Sequence, residues 1–219
     1  MYIKRDFVIG IDEAGLGPVF GPLIVSGVSV PASADSFLRS AGIKDSKKYG
    51  AGGRAHRKRI EASSAAQKHV LNEHRVVISS DEINTSDIYT LHINAVREIL
   101  IKLNWPAAGR VYIERLGMLR RNIFFSRLGF WHSGFVYEGK ADEKYPAVSF
   151  ASVKAKILRE NIVRDMCRRM GVEYVSGYAN GATEKFLWDY YRENGSLPMG
   201  IRRNWKWGPL TDILMEIKK

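Results

Sequence analysis

Residues 7–28, "FVIGIDEAGLGPVFGPLIVSGV", put two adjacent carboxylates, Asp12 and Glu13, at the end of an apolar run and just ahead of Gly15, Gly17 and Gly21. Two later apolar runs also finish near acids: "GRVYIE" closes on Glu114, and "GFVYEGKAD" leads to Asp142. Carboxylates gathered in one place repel, because each raises the cost of ionising the next. Divalent cations relieve that cost. Mg2+ takes hard oxygen ligands, usually from few carboxylates, with phosphate oxygens and water filling its shell. Two such ions about 4 Å apart can clamp a phosphodiester, one raising a hydroxide and the other stabilising the leaving oxygen. Phosphodiester hydrolysis is therefore the chemistry within reach, provided the fold gathers Asp12, Glu13, Glu114 and Asp142. Each acid alone has a plainer reading. Asp12-Glu13 reads as a solvated turn, and Asp142, beside Glu143 and Lys144, as a surface residue.

Side chains alternate along a strand, so Asp12 and Glu13 point apart unless the chain bends after them, which Ala14-Gly15 permits. Gly15 and Gly17 serve either a positive φ or the close approach of bare backbone N–H groups to a phosphate or sugar. The pattern GxxxxGK[ST] is missing, which argues against nucleoside triphosphate binding.

The elements that must position these residues follow from periodicity. "FVIGID" reads as a strand, and "PLIVSGVSV" as its antiparallel partner across the glycine turn. "RVVISS", "GRVYIE" and "GFVYEG" supply three more strands. "RAHRKRIEASSAAQKHV" reads as a helix. A second helix carries Ile88, Leu91, Ala95 and Ile99 at helical spacing, with Thr85 or Ser86 as its N-cap. "AVSFASVKAKILRENIVRDMCRRMG" predicts one long helix closed by Gly171. "TEKFLWDYYREN" and "PLTDILMEIKK" predict the last two, and residues 115–145 show no clear pattern apart from the fifth strand. Strands first, then alternating helices and strands, predict an α/β fold: a mixed five-stranded sheet flanked by helices.

The chain has 219 residues, enough for one domain or one with a small appendage. Its net charge of +11 is concentrated in "KDSKKYGAGGRAHRKR", "RLGMLRR" and "RRNWKW". A polyanion is the natural partner, and nucleic acid the first candidate. A membrane-surface role would need a Lys-rich amphipathic stretch, which is missing, and no segment reads as a signal peptide or a membrane span. A single cysteine, Cys167, forms no internal disulfide, so a reducing, cytoplasmic location is expected, with Cys167 as packing. His92 reads as a core or boundary residue. Among the tryptophans, core packing suits Trp188, whereas Trp205 and Trp207, flanked by Arg203 and Lys206, are better candidates than Trp131 for stacking on nucleic acid.

Taken in order, these segments resemble the ribonuclease HII family. "GIDEAGLGPVFGPLIV" is similar to its first motif, DEAGRGP followed by GP; "IKDSKKY" to its DSKK segment; "ADEKYPAVSFASVKAK" to its fourth-acid motif; "SGYANGATEKFL" to its GY segment; and "IRRNWKW" to an Arg-x-Ser-Trp ending. The resemblance implies a ribonuclease H-like catalytic domain over residues 1–170 and a C-terminal helical substrate-binding extension over 171–219. It implies hydrolysis of the RNA strand of RNA/DNA hybrids, and cutting at single ribonucleotides in duplex DNA. Two Mg2+ or Mn2+ ions would be held by Asp12, Glu13, Glu114 and Asp142, leaving 3′-hydroxyl and 5′-phosphate ends. Gly15 and Gly17, flanking Leu16, take the places of glycines whose backbone reads the 2′-hydroxyl. Tyr178 takes that of the tyrosine packing on the sugar at the junction. Lys47 and Arg203 fall at substrate-contacting positions, with Ser46 and Ser152 as polar neighbours. A monomer is expected. Leu16 stands where the family has Arg, and Glu114 where it has Asp. The first departure predicts altered junction recognition, the second a shifted metal and a Mn2+ preference. The rival readings are a nuclease of the same fold with changed specificity and a binding module that has lost catalysis.

Overall fold

A computed structural model describes residues 7–43, 49–50 and 52–218. β1 (Phe7–Ala14), β2 (Leu23–Pro31), β3 (Asn72–Ile78), β4 (Arg110–Glu114) and β5 (Phe135–Glu138) form one sheet in the order β3-β2-β1-β4-β5. β1–β2 and β2–β3 are antiparallel, while β1–β4 and β4–β5 are parallel. The mixed five-stranded sheet expected from the sequence is present.

The two-residue period of β1 decides which helix each residue meets. Ile9 and Ile11 face α4 (Ile88–Lys102), packing with Ile93, Val96 and Ile99. Val8 faces α7 (Pro146–Arg169), packing with Ala147, Phe150 and Ala151. Gly10 lets α7 lie directly on the strand: a Cβ there would stand 2.2 Å from the Ala147 carbonyl carbon. Beyond β1, Val19 and Phe20 enter a third apolar cluster with Val163, Cys167 and residues of α8 (Gly181–Asn194) and α9 (Gly208–Ile217). Backbone bonds stitch the glycine segment to that end of the chain. Val19 N–H donates to Gly177 O at 2.7 Å, Gly21 N–H to Gly200 O at 2.9 Å, and Arg202 N–H to Val19 O at 2.9 Å.

Several boundaries differ from expectation for local reasons. β3 stops at Ile78 because Ser79 opens α3 (Ser80–Thr85) with a capping box. There Glu82 N–H donates to Ser79 Oγ at 3.2 Å, and Ser79 N–H donates to Glu82 Oε2 at 2.8 Å. α4 is capped by Asp87, not Thr85 or Ser86, its Oδ2 accepting Thr90 N–H at 2.9 Å. The unpatterned stretch holds α5 (Arg121–Leu128) and a one-turn helix, α6 (Ala141–Lys144). Two more helices, α1 (Asp35–Ser40) and α2 (Gly52–Ala66), lie between β2 and β3. Among the described residues no helix is long and apolar enough to cross a membrane.

Candidate active site

Asp12 and Glu13 keep the strand alternation to the end. β1 stays paired with β2 through Ala14, so the pair does not need the bend the sequence suggested. Asp12 falls on the α7 side, bonded to Ser152. Glu13 falls on the α4 side, where Oε2 lies 3.7 Å from His92 Nε2. Their carboxyls still meet, because the pairing of β1 with β4 stops at Ile11. Glu13 N–H then donates to Asp12 Oδ1 at 2.7 Å, which draws that carboxylate round to the strand edge.

Glu114, at the tip of β4, spans the gap to α6. Its Oε1 accepts Lys140 N–H at 2.8 Å, and its Oε2 accepts Ala141 N–H at 2.5 Å and Asp142 N–H at 3.2 Å. Lys140 takes a left-handed conformation, φ 62°, to present those amides. Asp142 is buried at the start of α6, not on the surface as its charged neighbours suggest, and Ser149 Oγ donates to its carbonyl.

The four acids act on one another in sequence. Burial raises Asp12 well above the usual carboxylate range, and the charge of Glu13 adds to it. Burial, then the charge of Glu114, pushes Glu13 up to about 7. Burial also raises Glu114, with Asp142 contributing. Lys156, one turn after Ser152 on α7, opposes the rise at Asp12 and Glu13. His92 is buried and pushed down to about 3, so it stands neutral beside Glu13.

Buried Glu13 Oε2 has no hydrogen-bond partner. An orphaned carboxylate oxygen among hard oxygen donors fits a divalent ion such as Mg2+ or Mn2+. Among the described residues no three candidate ligands converge on one point. The donor set suits an ion that takes few carboxylates and completes its shell from phosphate and water.

Beside the acids, two buried guanidiniums shape the glycine loop. Arg202 donates from Nη2 to Gly15 O at 2.7 Å, from Nη1 to Leu16 O at 3.2 Å, and from Nε to Gly21 O at 3.0 Å. Arg159 donates from Nη2 to Phe20 O at 2.9 Å, from Nε to Pro22 O at 3.2 Å, and from Nη1 to Ser176 O at 3.2 Å. Burial and the charge of Arg159 lower Arg202 to about 9, which leaves it charged at neutral pH. Gly15, at φ 99°, allows this approach: a Cβ there would stand 2.5 Å from Arg159 Nε. Gly17 is exposed, and a Cβ on it would lie 3.9 Å from the Tyr178 ring. The Arg159 guanidinium sits 5.6 Å from that ring's centroid. Ala14, Lys156, Arg159, Tyr174 and Tyr178 line a cleft of about 260 Å³.

Asp12, Glu13, Glu114 and Asp142 thus form a chain in which each acid lies within electrostatic reach of the next, with Gly15, Leu16 and Gly17 following on from Ala14 and Tyr178 beside Gly17. Lys47 and Ser46 lie outside the described residues. Arg203 is exposed, its backbone N–H donating to Asn84 Oδ1 at 2.7 Å. The buried residue under the loop is Arg202, one position earlier. Trp205 and Trp207 pack against the third core rather than standing free, and Trp131 is the exposed indole, at 57%. Sequence reasoning passed over Arg159, Arg202 and Lys156. For Lys156 the i, i+4 spacing from Ser152 was a usable signal. For Arg202 the Arg-x-Ser-Trp resemblance was a usable signal, since Arg202, Asn204 and Trp205 fill its places; Arg159 carried none, since charged residues are rarely buried.

The model of the ribonuclease HII family matches residues 9–207. Ribonuclease HII of Methanocella arvoryzae is 33% identical over 213 residues, 93% of this chain and 90% of the relative. The crystal structure of ribonuclease H2 from Pyrococcus horikoshii OT3 superposes with a TM-score of 0.80 at 26% identity, covering 97% of this chain and 99% of that one. The RNase HII in a PCNA:RNase HII complex from Archaeoglobus fulgidus gives 0.75 at 29% identity, covering 91% and 93%. The match runs from the first strand, through all four acids, to the turn that carries Arg202, and the chain belongs to the ribonuclease HII family.

Proposed function

We propose that the protein is a metal-dependent endoribonuclease that hydrolyses the RNA strand of RNA/DNA hybrids and cuts at single ribonucleotides within duplex DNA. The observation that carries this is the buried Asp12–Glu13 pair, with its orphaned Oε2, set against Glu114 and Asp142 beside a glycine loop whose carbonyls are turned onto two arginines. Asp12 and Glu13 would hold Mg2+ or Mn2+, with Glu114 and Asp142 completing a two-ion site. Bound ions would supply neutralisation of the acids and polarisation of water and the scissile phosphodiester. Ser152 and the Glu13 amide orient Asp12, and the amides of residues 140–142 orient Glu114. Gly15, Leu16 and Gly17 would present backbone to the 2′-hydroxyl, the group that separates RNA from DNA. Tyr178 would pack on the adjoining sugar, and Lys47 and Arg203 would meet the backbone. We also propose residues 1–170 as the catalytic unit, 171–219 as the substrate-binding extension, and a cytoplasmic monomer as the working form.

The test is cleavage of a labelled hybrid in Mg2+ or Mn2+ by wild type and Asp12→Asn. A fall of roughly 10²-fold or more is expected on loss of the charge, and equal cleavage would defeat the reading. Leu16 favours a second reading, altered junction choice: its side chain is half-buried toward Gly117 and offers no charge. Comparing one embedded ribonucleotide with a continuous hybrid decides, since a strong preference for the former sinks it.

A further inference from the structure

We infer that the outer flank of α5, together with the loop that joins it to Glu114, holds a single-stranded extension of the substrate, with Trp131 as its base-stacking platform. This rests on the nucleic-acid reading above and goes beyond it by assigning a second surface. From Arg115 to Tyr137 the chain has no acidic residue, yet it carries Arg115, Arg120, Arg121 and Arg127. Arg127 pairs with Asp87 at 3.6 Å. Among the described residues the other three have no carboxylate within ion-pair distance. Such a stripe is complementary to a phosphate backbone. It begins at Arg115, whose guanidinium lies against Gly139, where a Cβ would stand 3.1 Å from Nη2, next to the Lys140 amide that binds Glu114, so it starts at the edge of the acidic site.

The loop before α5 and the segment after it also display apolar surface. Met118 is 85% exposed and Trp131 is 57% exposed. An open groove of about 470 Å³ runs between Trp131, Phe125, Arg121 and Asn122. Trp131 is held from behind. Its neighbour Phe130 stacks on Trp105 with centroids 5.0 Å apart, and Phe135 N–H donates to His132 O at 2.9 Å. An exposed indole on a rigid base beside a guanidinium offers a face to an unpaired base. A duplex, whose bases are stacked on each other, cannot use it. The charge alone would serve a duplex; the indole selects a single strand.

The test compares a blunt hybrid with the same hybrid carrying an eight-nucleotide single-stranded extension, at either end and on either strand. Binding is followed by fluorescence anisotropy in EDTA, which withholds hydrolysis. One extended substrate should bind wild type about tenfold more tightly than the blunt one. Trp131→Ala should abolish that gain, Trp131→Phe should keep most of it, and Arg120→Gln with Arg121→Gln should reduce it, each leaving blunt-hybrid binding by wild type as the reference. No gain for any extension would overturn the inference. So would a loss in Trp131→Ala that is equal for blunt and extended substrates, which would mark a duplex contact or a packing role. Failure of wild type to cleave any hybrid with metal would instead strike the functional reading, so the two failures stay separate.

Discussion

At the residue scale, the site is defined by acids that the fold makes hard to ionise. Asp12, Glu13 and Glu114 are all raised, burial being the largest cause at each. A carboxyl whose folded pKa lies above its unfolded value stabilises the fold at low pH, and that contribution is lost as pH rises toward the folded value. For Glu13 the window runs from its ordinary 4.5 to about 7. In EDTA, stability should therefore fall between these pH values by on the order of 1–3 kcal/mol, as read from urea midpoints at each pH. Glu73, Asp87 and Glu138 are lowered, so their opposing contribution is gained as pH rises through their ordinary values, at and below the lower end of that window, and the upper part of the window reports the raised acids. Glu13→Gln should flatten the profile, and Mg2+ should restore stability at the upper end. A flat wild-type profile in EDTA would count against a strained acidic pocket. Glu114 carries a separate expectation. Its length lets one carboxylate reach three amides of residues 140–142. Glu114→Asp, one methylene shorter, should leave some of them unsatisfied and cost about 1–3 kcal/mol by urea denaturation; an unchanged midpoint would show that the reach is not needed.

At the element scale, the chemistry depends on α7 lying against β1 without a gap, since Ser152 and Lys156 ride on that helix. Gly10 is what permits it. Gly10→Ala would place a Cβ 2.2 Å from the Ala147 carbonyl carbon, which only a shift of α7 can relieve. A loss of at least ~3 kcal/mol is expected, with hybrid cleavage falling alongside as Ser152 leaves Asp12; wild-type stability in the variant would mean the helix has room to spare. The glycine loop depends on Arg202 in the same way. Arg202→Met removes a fully buried donor that serves three carbonyls, and should cost ~2–4 kcal/mol in urea. Its affinity for a duplex with one ribonucleotide should drop toward that for all-DNA duplex, measured by anisotropy in EDTA. Equal losses on both duplexes would reduce the role to general stability. The strands were legible in the sequence because each is a short apolar run ended by a turn or an acid. The caps at Ser79 and Asp87, and helices α5 and α6, were not, because serine and aspartate near one another compete for the cap and α5 has no clean apolar stripe. The four acids could be located one by one, while the coupling between them needed the strand order.

At the scale of the whole molecule, the net charge of +11 predicts affinity for polyanions but not where they bind, because cations differ in how far they are already neutralised. On α7 and α8 the charges are spent internally. Arg168 and Arg169 both reach Asp165, and Lys185 and Arg192 both reach Asp189, Arg192 at 3.6 Å. A phosphate approaching there must compete with a carboxylate already in place. Around the loop after Glu114 no such competitor stands among the described residues. Counterion release makes this difference measurable, since each phosphate neutralised adds about −0.9 to the slope of log K against log salt on duplex DNA. Substituting Arg120→Gln and Arg121→Gln should make the slope for an extended hybrid shallower by roughly 1–2. Substituting Lys185→Gln and Arg192→Gln removes the same formal charge and should leave the slope within about 0.5 of wild type. Equal shifts in the two double variants would mean that total charge, rather than its pairing in the fold, governs how this protein holds nucleic acid.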